Sequence, residues 1–261
     1  MKTFNYHSAK DVKEASKLAS SNSAFLAGGM TTIPSIKLGL ATYKDIINIK
    51  NIKSLSGIKV SGKTVKIGAT TKHVEVANSK DVKKAIPSLA ALAEGIGDPQ
   101  VRNRGTIGGS IANNDPSADY PSACIALNAT IHTSSRKISA DKFFAGMFET
   151  SLKKGELIEA VEFQVPEKSC YQKYPNPASR YAIVGVYVAK YKNGVNVGVT
   201  GAKSCVYNDK NISDALSKSF SSTAIDNVKI PSSGMNSDIH ASAEYRANMV
   251  KIFAKKAVDA C

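Results

Sequence analysis

Short apolar runs alternate with helix-spaced segments through the first fifty residues, and few folds accommodate that rhythm. Phe4–Tyr6 reads as a strand. Ser8 stands where a helix cap would, with Asp11 three residues on, an acidic near-match to a capping box. Val12, Ala15, Leu18 and Ala19 then recur at helical spacing. The run AFLAGG (Ala24–Gly29) predicts a second strand, MTTIPSIKLGL a turn and helix, and Tyr43–Ile49 a third strand. A β-α-β-α-β order in so short a span predicts an α/β or α+β fold.

The rest divides naturally in two. Ile58–Val60 and Thr64–Ile67 flank Ser61-Gly62-Lys63, a hairpin signal. Helical patches are predicted at Thr71–Asn78 and Lys83–Ala93, and SACIALNATIH predicts a helix running into a strand. Lys137–Phe144 and Leu157–Val165 complete this part. After Pro166, strands are predicted at Cys170–Tyr174, Ala182–Tyr191 and Val195–Ala202, with Asn193-Gly194 as the tight turn between the last two. The segment Ser237–Val258 is predicted as an amphipathic helix, with Tyr245, Met249, Ile252, Phe253 and Lys256 on one face or its edge. The three units are residues 1–55, 56–165 and 166–261.

Two glycine-bearing loops stand out, each on its own either an ordinary tight turn or a ligand-holding loop. Ala27-Gly28-Gly29-Met30-Thr31 follows an apolar strand and precedes a helix. Thr106-Ile107-Gly108-Gly109-Ser110 has the same ingredients, with Arg102 and Arg104 upstream. Paired glycines allow positive φ and expose consecutive N–H groups, which favour a phosphate. Neither loop matches G-x-G-x-x-G or the Walker pattern, so a Rossmann dinucleotide site and a P-loop ATPase are disfavoured. Asp115 and Asp119, four apart, lie on one helix face or flank a turn, where one could accept from a ribose or ribityl hydroxyl; Asp115 before Pro116 reads better as a turn cap. Arg102 and Arg104 fit a cofactor, a partner subunit or plain surface.

Composition narrows the alternatives. Lys and Arg total 35 against 21 acidic residues among 261, a net charge of +14. That favours an anionic ligand, an acidic protein partner, nucleic acid or a membrane surface, or is simply a solvated surface rich in lysine. The lysines are scattered, and the aromatic residues are not interleaved with arginine, which disfavours a nucleic-acid face. Cys124, Cys170, Cys205 and Cys261 form no Cys-x-x-Cys pair, and His7, His73, His132 and His240 have no metal spacing. His73 stands at a predicted helix start, where a role near a cofactor is open. With no secretory h-region and no membrane-length apolar run, a reducing, cytoplasmic setting is expected.

Four stretches together sharpen the reading: AGGMTTIPSIKLGL, DPQVRNRGTIGGSIANNDPSADYPSACIALNA, YQKYPNPASRYAIVGV and SAEYRANM. In this order and over nearly the whole chain, they resemble the FAD-binding medium subunit of molybdenum hydroxylases of the carbon monoxide and xanthine dehydrogenase type. The resemblance implies an α+β architecture: a two-part FAD-binding fold of the vanillyl-alcohol oxidase type, then a small C-terminal α+β domain. It implies FAD, with Ala27–Thr31 and Thr106–Ser110 at the diphosphate and the Thr106 hydroxyl assisting. It implies Asp119 as an acidic cofactor contact, Ile158 as an apolar one and Lys173 as a cation near the flavin edge, where positive charge stabilises the reduced ring. The implied partners are a small [2Fe–2S] subunit, a large molybdenum-cofactor subunit and an external electron acceptor, the chain carrying no cluster of its own. A stand-alone FAD-dependent oxidase of the same fold is the alternative, and a basic binding module ranks below both.

Overall fold

The computed structural model describes residues 2–261. Its first sheet is parallel, with strands β1 (Asn5–Ser8), β2 (Ser23–Leu26) and β3 (Asp45–Asn48) joined through helices α1 (Val12–Leu18) and α2 (Thr32–Lys37). The order is β1-β3-β2, so β3 is the central strand. Ile46 and Ile47 are both buried there, as a strand covered on both faces requires. The cap of α1 differs from expectation. Ser8 belongs to β1, paired with Asn48. Asp11 is the cap, accepting from Glu14 N–H at 2.8 Å, while the Glu14 carboxylate takes the Lys10 N–H at 2.7 Å. Strand pairing claims Ser8, and the carboxylate of Asp11 does the capping instead.

A second sheet is antiparallel, built from β4 (Ile58–Ser61), β5 (Thr64–Gly68), then after a helical excursion β6 (Thr130–Thr133), β7 (Lys137–Ser139) and β10 (Ile158–Gln164), in the order β4-β5-β10-β6-β7. The excursion comprises α3 (His73–Asn78), α4 (Lys80–Ala85), α5 (Pro87–Glu94), α6 (Pro99–Arg104), α7 (Ile107–Asn113) and α8 (Tyr120–Ala126). The turn α9 (Ala140–Phe143) and the ribbon β8 (Phe144–Gly146) with β9 (Glu149–Thr150) follow β7. Val65, Ile67, Leu89, Leu92, Ile107, Ile111 and Phe163 belong to the core between helices and sheet. The helix expected across Lys83–Ala93 is two helices. Pro87 excludes the helical region at Ile86, which sits at φ −142°, and then opens α5.

The third sheet runs β11 (Lys168–Pro175), β12 (Ala182–Tyr191), β13 (Gly194–Thr200) and β14 (Tyr207–Asn208), antiparallel and in sequence order. Gly194 already pairs with Tyr191, so the tight turn is Lys192-Asn193. Helices α10 (Lys210–Lys218) and α11 (Ala243–Asp259) pack on this sheet. Helix α11 buries Arg246, Val250, Phe253, Ala254 and Ala257, whereas Tyr245 is exposed. The expected face was rotated because a hydropathy pattern treats arginine as surface. Here the Arg246 guanidinium points inward, donating to Ile183 O at 2.6 Å and Gly201 O at 3.0 Å and pairing with Asp238 at 2.7 Å. A buried charge is tolerated when it is paired and hydrogen-bonded.

Candidate cofactor site

A cavity of about 680 Å³ opens beside both glycine loops. Its size is that of a small-molecule or cofactor site. Ala27, Gly28, Gly29, Met30, Thr31, Thr106, Gly108, Gly109, Ser110, Asp119 and Ile158 line it. The loops touch. A Cβ on Gly28 would overlap the Arg104 carbonyl oxygen and stand 2.9 Å from Gly105 Cα, so only glycine permits the contact.

The two loops do different work. In the first, the N–H groups of Gly28, Gly29, Met30 and Thr31 meet no acceptor among the described residues. They form a donor array between β2 and α2, suited to an anion. In the second, the donors are already used. Ile107 N–H donates to Thr71 O at 3.1 Å, Gly108 N–H to Ala69 O at 2.9 Å, and Gly109 N–H to the Thr106 hydroxyl oxygen at 3.2 Å. Thr106 is thus the N-cap of α7. The expected two-sided clamp of N–H groups becomes one array and one wall. Ile107 does not line the cavity, because its side chain is fully buried in the core. Gly108 is small because Ala69 lies behind it: a Cβ would stand 2.5 Å from the Ala69 Cβ.

Lys173 also stays off the cavity wall. Its ammonium pairs with Asp119 at 3.0 Å and donates to Gly95 O at 2.8 Å. Tyr171, two residues earlier on β11 and so on the same face, donates to Asp119 at 2.5 Å. Burial pushes the Asp119 carboxyl up, and Lys173 and Tyr171 oppose that. Asp115 caps a turn, accepting from Ser117 N–H at 2.8 Å, while also lining the cavity. Arg102 holds the loop before α6, donating to Ile96 O at 3.0 Å and Gly97 O at 3.2 Å, and Arg104 is exposed.

Sequence reasoning passed over Tyr171, Glu156 and the segment 178–181. Tyr181 lines the cavity while 45% exposed, and Arg180 beside it takes a left-handed φ of +63°. Both lie inside YQKYPNPASRYAIVGV, where nothing in the sequence marks a role for them. Glu156 lines the cavity and anchors the segment before β10. Burial raises its carboxyl, but donors from Arg136, Thr133, Lys153 N–H and Ser135 outweigh that and hold it down at about 2. Glu156→Gln is expected to cost about 2 kcal/mol in urea unfolding at neutral pH, since it removes charged hydrogen bonds.

His73 is buried and lines the cavity. Burial, with Arg102 nearby, pushes its imidazole down to about 4. A depressed histidine contributes stability above its unfolded value, near 6.5, that is lost as pH falls toward 4. Flavin-free protein is therefore expected to lose about 3 kcal/mol across that window, read as the difference from His73→Gln in urea unfolding.

The family model described as "FAD binding domain in molybdopterin dehydrogenase" matches residues 2–167. The chain belongs to this family. This FAD-binding chain is 34% identical to the glyceraldehyde dehydrogenase medium chain of Sulfolobus acidocaldarius, over 97% of its own length and 96% of the relative's. It is 33% identical to the carbon monoxide dehydrogenase medium chain of Hydrogenophaga pseudoflava, over 98% and 96%. Among solved structures, carbon monoxide dehydrogenase from Hydrogenophaga pseudoflava lacking the Mo-pyranopterin moiety superposes with a TM-score of 0.90 at 31% identity, covering 99% of this chain and 97% of that one. The chain is an FAD-binding medium subunit of the molybdenum hydroxylase family and an oxidoreductase flavoprotein subunit. The family's α+β FAD-binding fold is the fold described above. The free N–H array and the adjoining cavity fit a cofactor with an anionic diphosphate. No helix among the described residues is long and apolar enough to cross a membrane.

Proposed function

We propose that this chain is the electron outlet of a cytoplasmic molybdenum hydroxylase complex. It would take electrons from [2Fe–2S] clusters in a small partner subunit, which receives them from a large molybdenum-cofactor subunit, and pass them to an external acceptor. The observation that carries this is the cavity at the loop junction, in a chain similar end to end to medium chains of such dehydrogenases. Bound FAD would supply the redox chemistry, accepting and releasing the electrons.

This chain's residues would hold it. The N–H groups of Gly28 to Thr31 bind the diphosphate, and the wall from Thr106 to Ser110, with Ile107 packed behind it, closes the opposite side. Ile158 supplies apolar contact. Asp119 faces the cofactor, and Lys173 acts from behind it by fixing the carboxylate's position and charge. Residues 1–55 and 56–165 would be the two parts of the FAD fold and residues 166–261 the C-terminal domain, a division supported by a separate main sheet in each, the second also holding the β8-β9 ribbon.

Purified protein is expected to be yellow, with FAD released into the supernatant on acid precipitation. Colourless protein that takes up no added FAD contradicts the reading, and flavin remaining in the pellet favours a stand-alone oxidase with covalent flavin. A tagged chain is expected to co-purify with a [2Fe–2S] subunit and a molybdenum subunit.

A further inference from the structure

His73 carries a buried polar group without a partner. Its Nδ1 is enclosed and makes no hydrogen bond. Its other ring nitrogen lies at the loop junction. A Cβ on Gly105 would stand 2.6 Å from His73 Nε2, and a Cβ on Gly28 2.9 Å from Gly105 Cα. The His73 N–H donates to Gly105 O at 3.0 Å, which fixes the residue against the second loop. The Tyr120 ring, 5.4 Å away between centroids, backs the imidazole.

A neutral imidazole carries one N–H, and its position follows from these surroundings. A buried N–H with no acceptor is rarer in proteins than an acceptor with no donor. The proton therefore belongs on Nε2, on the cavity side, and the lone pair on enclosed Nδ1. Dry surroundings and the Arg102 charge keep the ring neutral. An Nε2–H at the junction of Gly28 and Gly105 adds a side-chain donor to the free N–H groups of Gly28 and Gly29, which line the same cavity. Such a set suits an anion.

We infer that His73 is a cofactor-binding residue whose Nε2–H donates to a diphosphate oxygen of the bound dinucleotide. This rests on the FAD reading above and adds a side-chain donor to the backbone array. It also gives Gly105 a reason: any side chain there would displace the imidazole.

The test uses the full chain stripped of flavin, titrated with FAD and followed by flavin fluorescence. His73→Phe removes the donor, and FAD affinity is expected to fall about tenfold or more, the worth of one hydrogen bond to a charged group. His73→Gln, whose amide nitrogen can reach the Nε2 position, is expected to recover affinity to within about threefold. ADP, which has the diphosphate but no flavin, loses affinity by the same factor in the Phe variant, whereas riboflavin, with no phosphate, is unaffected. A folded Phe variant that binds FAD like wild type overturns the inference, as does riboflavin weakening as much as ADP. If the Phe variant does not fold, nitrogen-15 NMR of the wild-type imidazole decides: the Nε2–H signal is expected to shift on adding ADP, and an unmoved signal overturns the assignment. Wild-type protein that takes up neither FAD nor ADP refutes the cofactor site itself, and the inference with it.

Discussion

Gly28→Ala protein is expected to purify without flavin. The added methyl would meet the Arg104 carbonyl oxygen, the Arg104 carbonyl carbon at 2.8 Å and Gly105 Cα at 2.9 Å. All three are backbone atoms, so no side chain can swing aside. The loops must separate, and the array from Gly28 to Thr31 moves relative to the wall from Thr106 to Ser110. Losing two charge-assisted hydrogen bonds to a phosphate costs at least about 3 kcal/mol, roughly a hundredfold in FAD affinity. The overpacking itself is expected to cost about 1–3 kcal/mol of stability without cofactor. Flavin content and urea unfolding separate the two effects. A folded variant with full flavin content shows that contact between the loops is dispensable. Gly108→Val, in contrast, is a poor probe of the ligand, because its side chain would strike Ala69 rather than enter the cavity.

Lys173→Met has the second large expected effect. Asp119 is 5% exposed and the Lys173 side chain 11%, so removing the lysine strands a buried carboxylate. Breaking such a pair costs about 3–5 kcal/mol. Burial already raises the Asp119 carboxyl above its ordinary 3.8, and losing Lys173 raises it further. A raised carboxyl penalises the folded state above the unfolded value, so the deficit is greatest near neutral pH and shrinks as pH falls toward 3.8. The double variant Asp119→Asn, Lys173→Met is expected to regain most of the loss at neutral pH. A single variant as stable as wild type at pH 7 would mean that Tyr171 alone satisfies Asp119.

Particular residues show what was legible in advance. The central strand was, because Ile46 and Ile47 are consecutive and apolar, and β12 matched its expected span because a buried strand of ten residues has little competing pattern. Both loops were legible as composition. Their hydrogen bonding was not, because the acceptors that occupy the Ile107 and Gly108 donors, Thr71 and Ala69, stand more than thirty positions upstream. Lys173 was readable as a cation at the site but not as the partner of Asp119, a contact that spans 54 positions and forms only when β11 reaches the start of α8. Arg246 misled for the same reason: its acceptors, Ile183 and Gly201, come from other strands and loops. Local periodicity reports which face is apolar, whereas tertiary pairing decides which polar groups can be buried.

The claim that this chain is an electron outlet is tested most directly by mixing. The flavin-loaded chain is combined anaerobically with its [2Fe–2S] partner subunit, reduced beforehand and freed of excess reductant. The flavin absorbance is expected to bleach as the cluster absorbance returns, with electrons gained by one equal to those lost by the other. Flavin that stays oxidised beside clusters that stay reduced, in a complex shown to have formed, would contradict the claim.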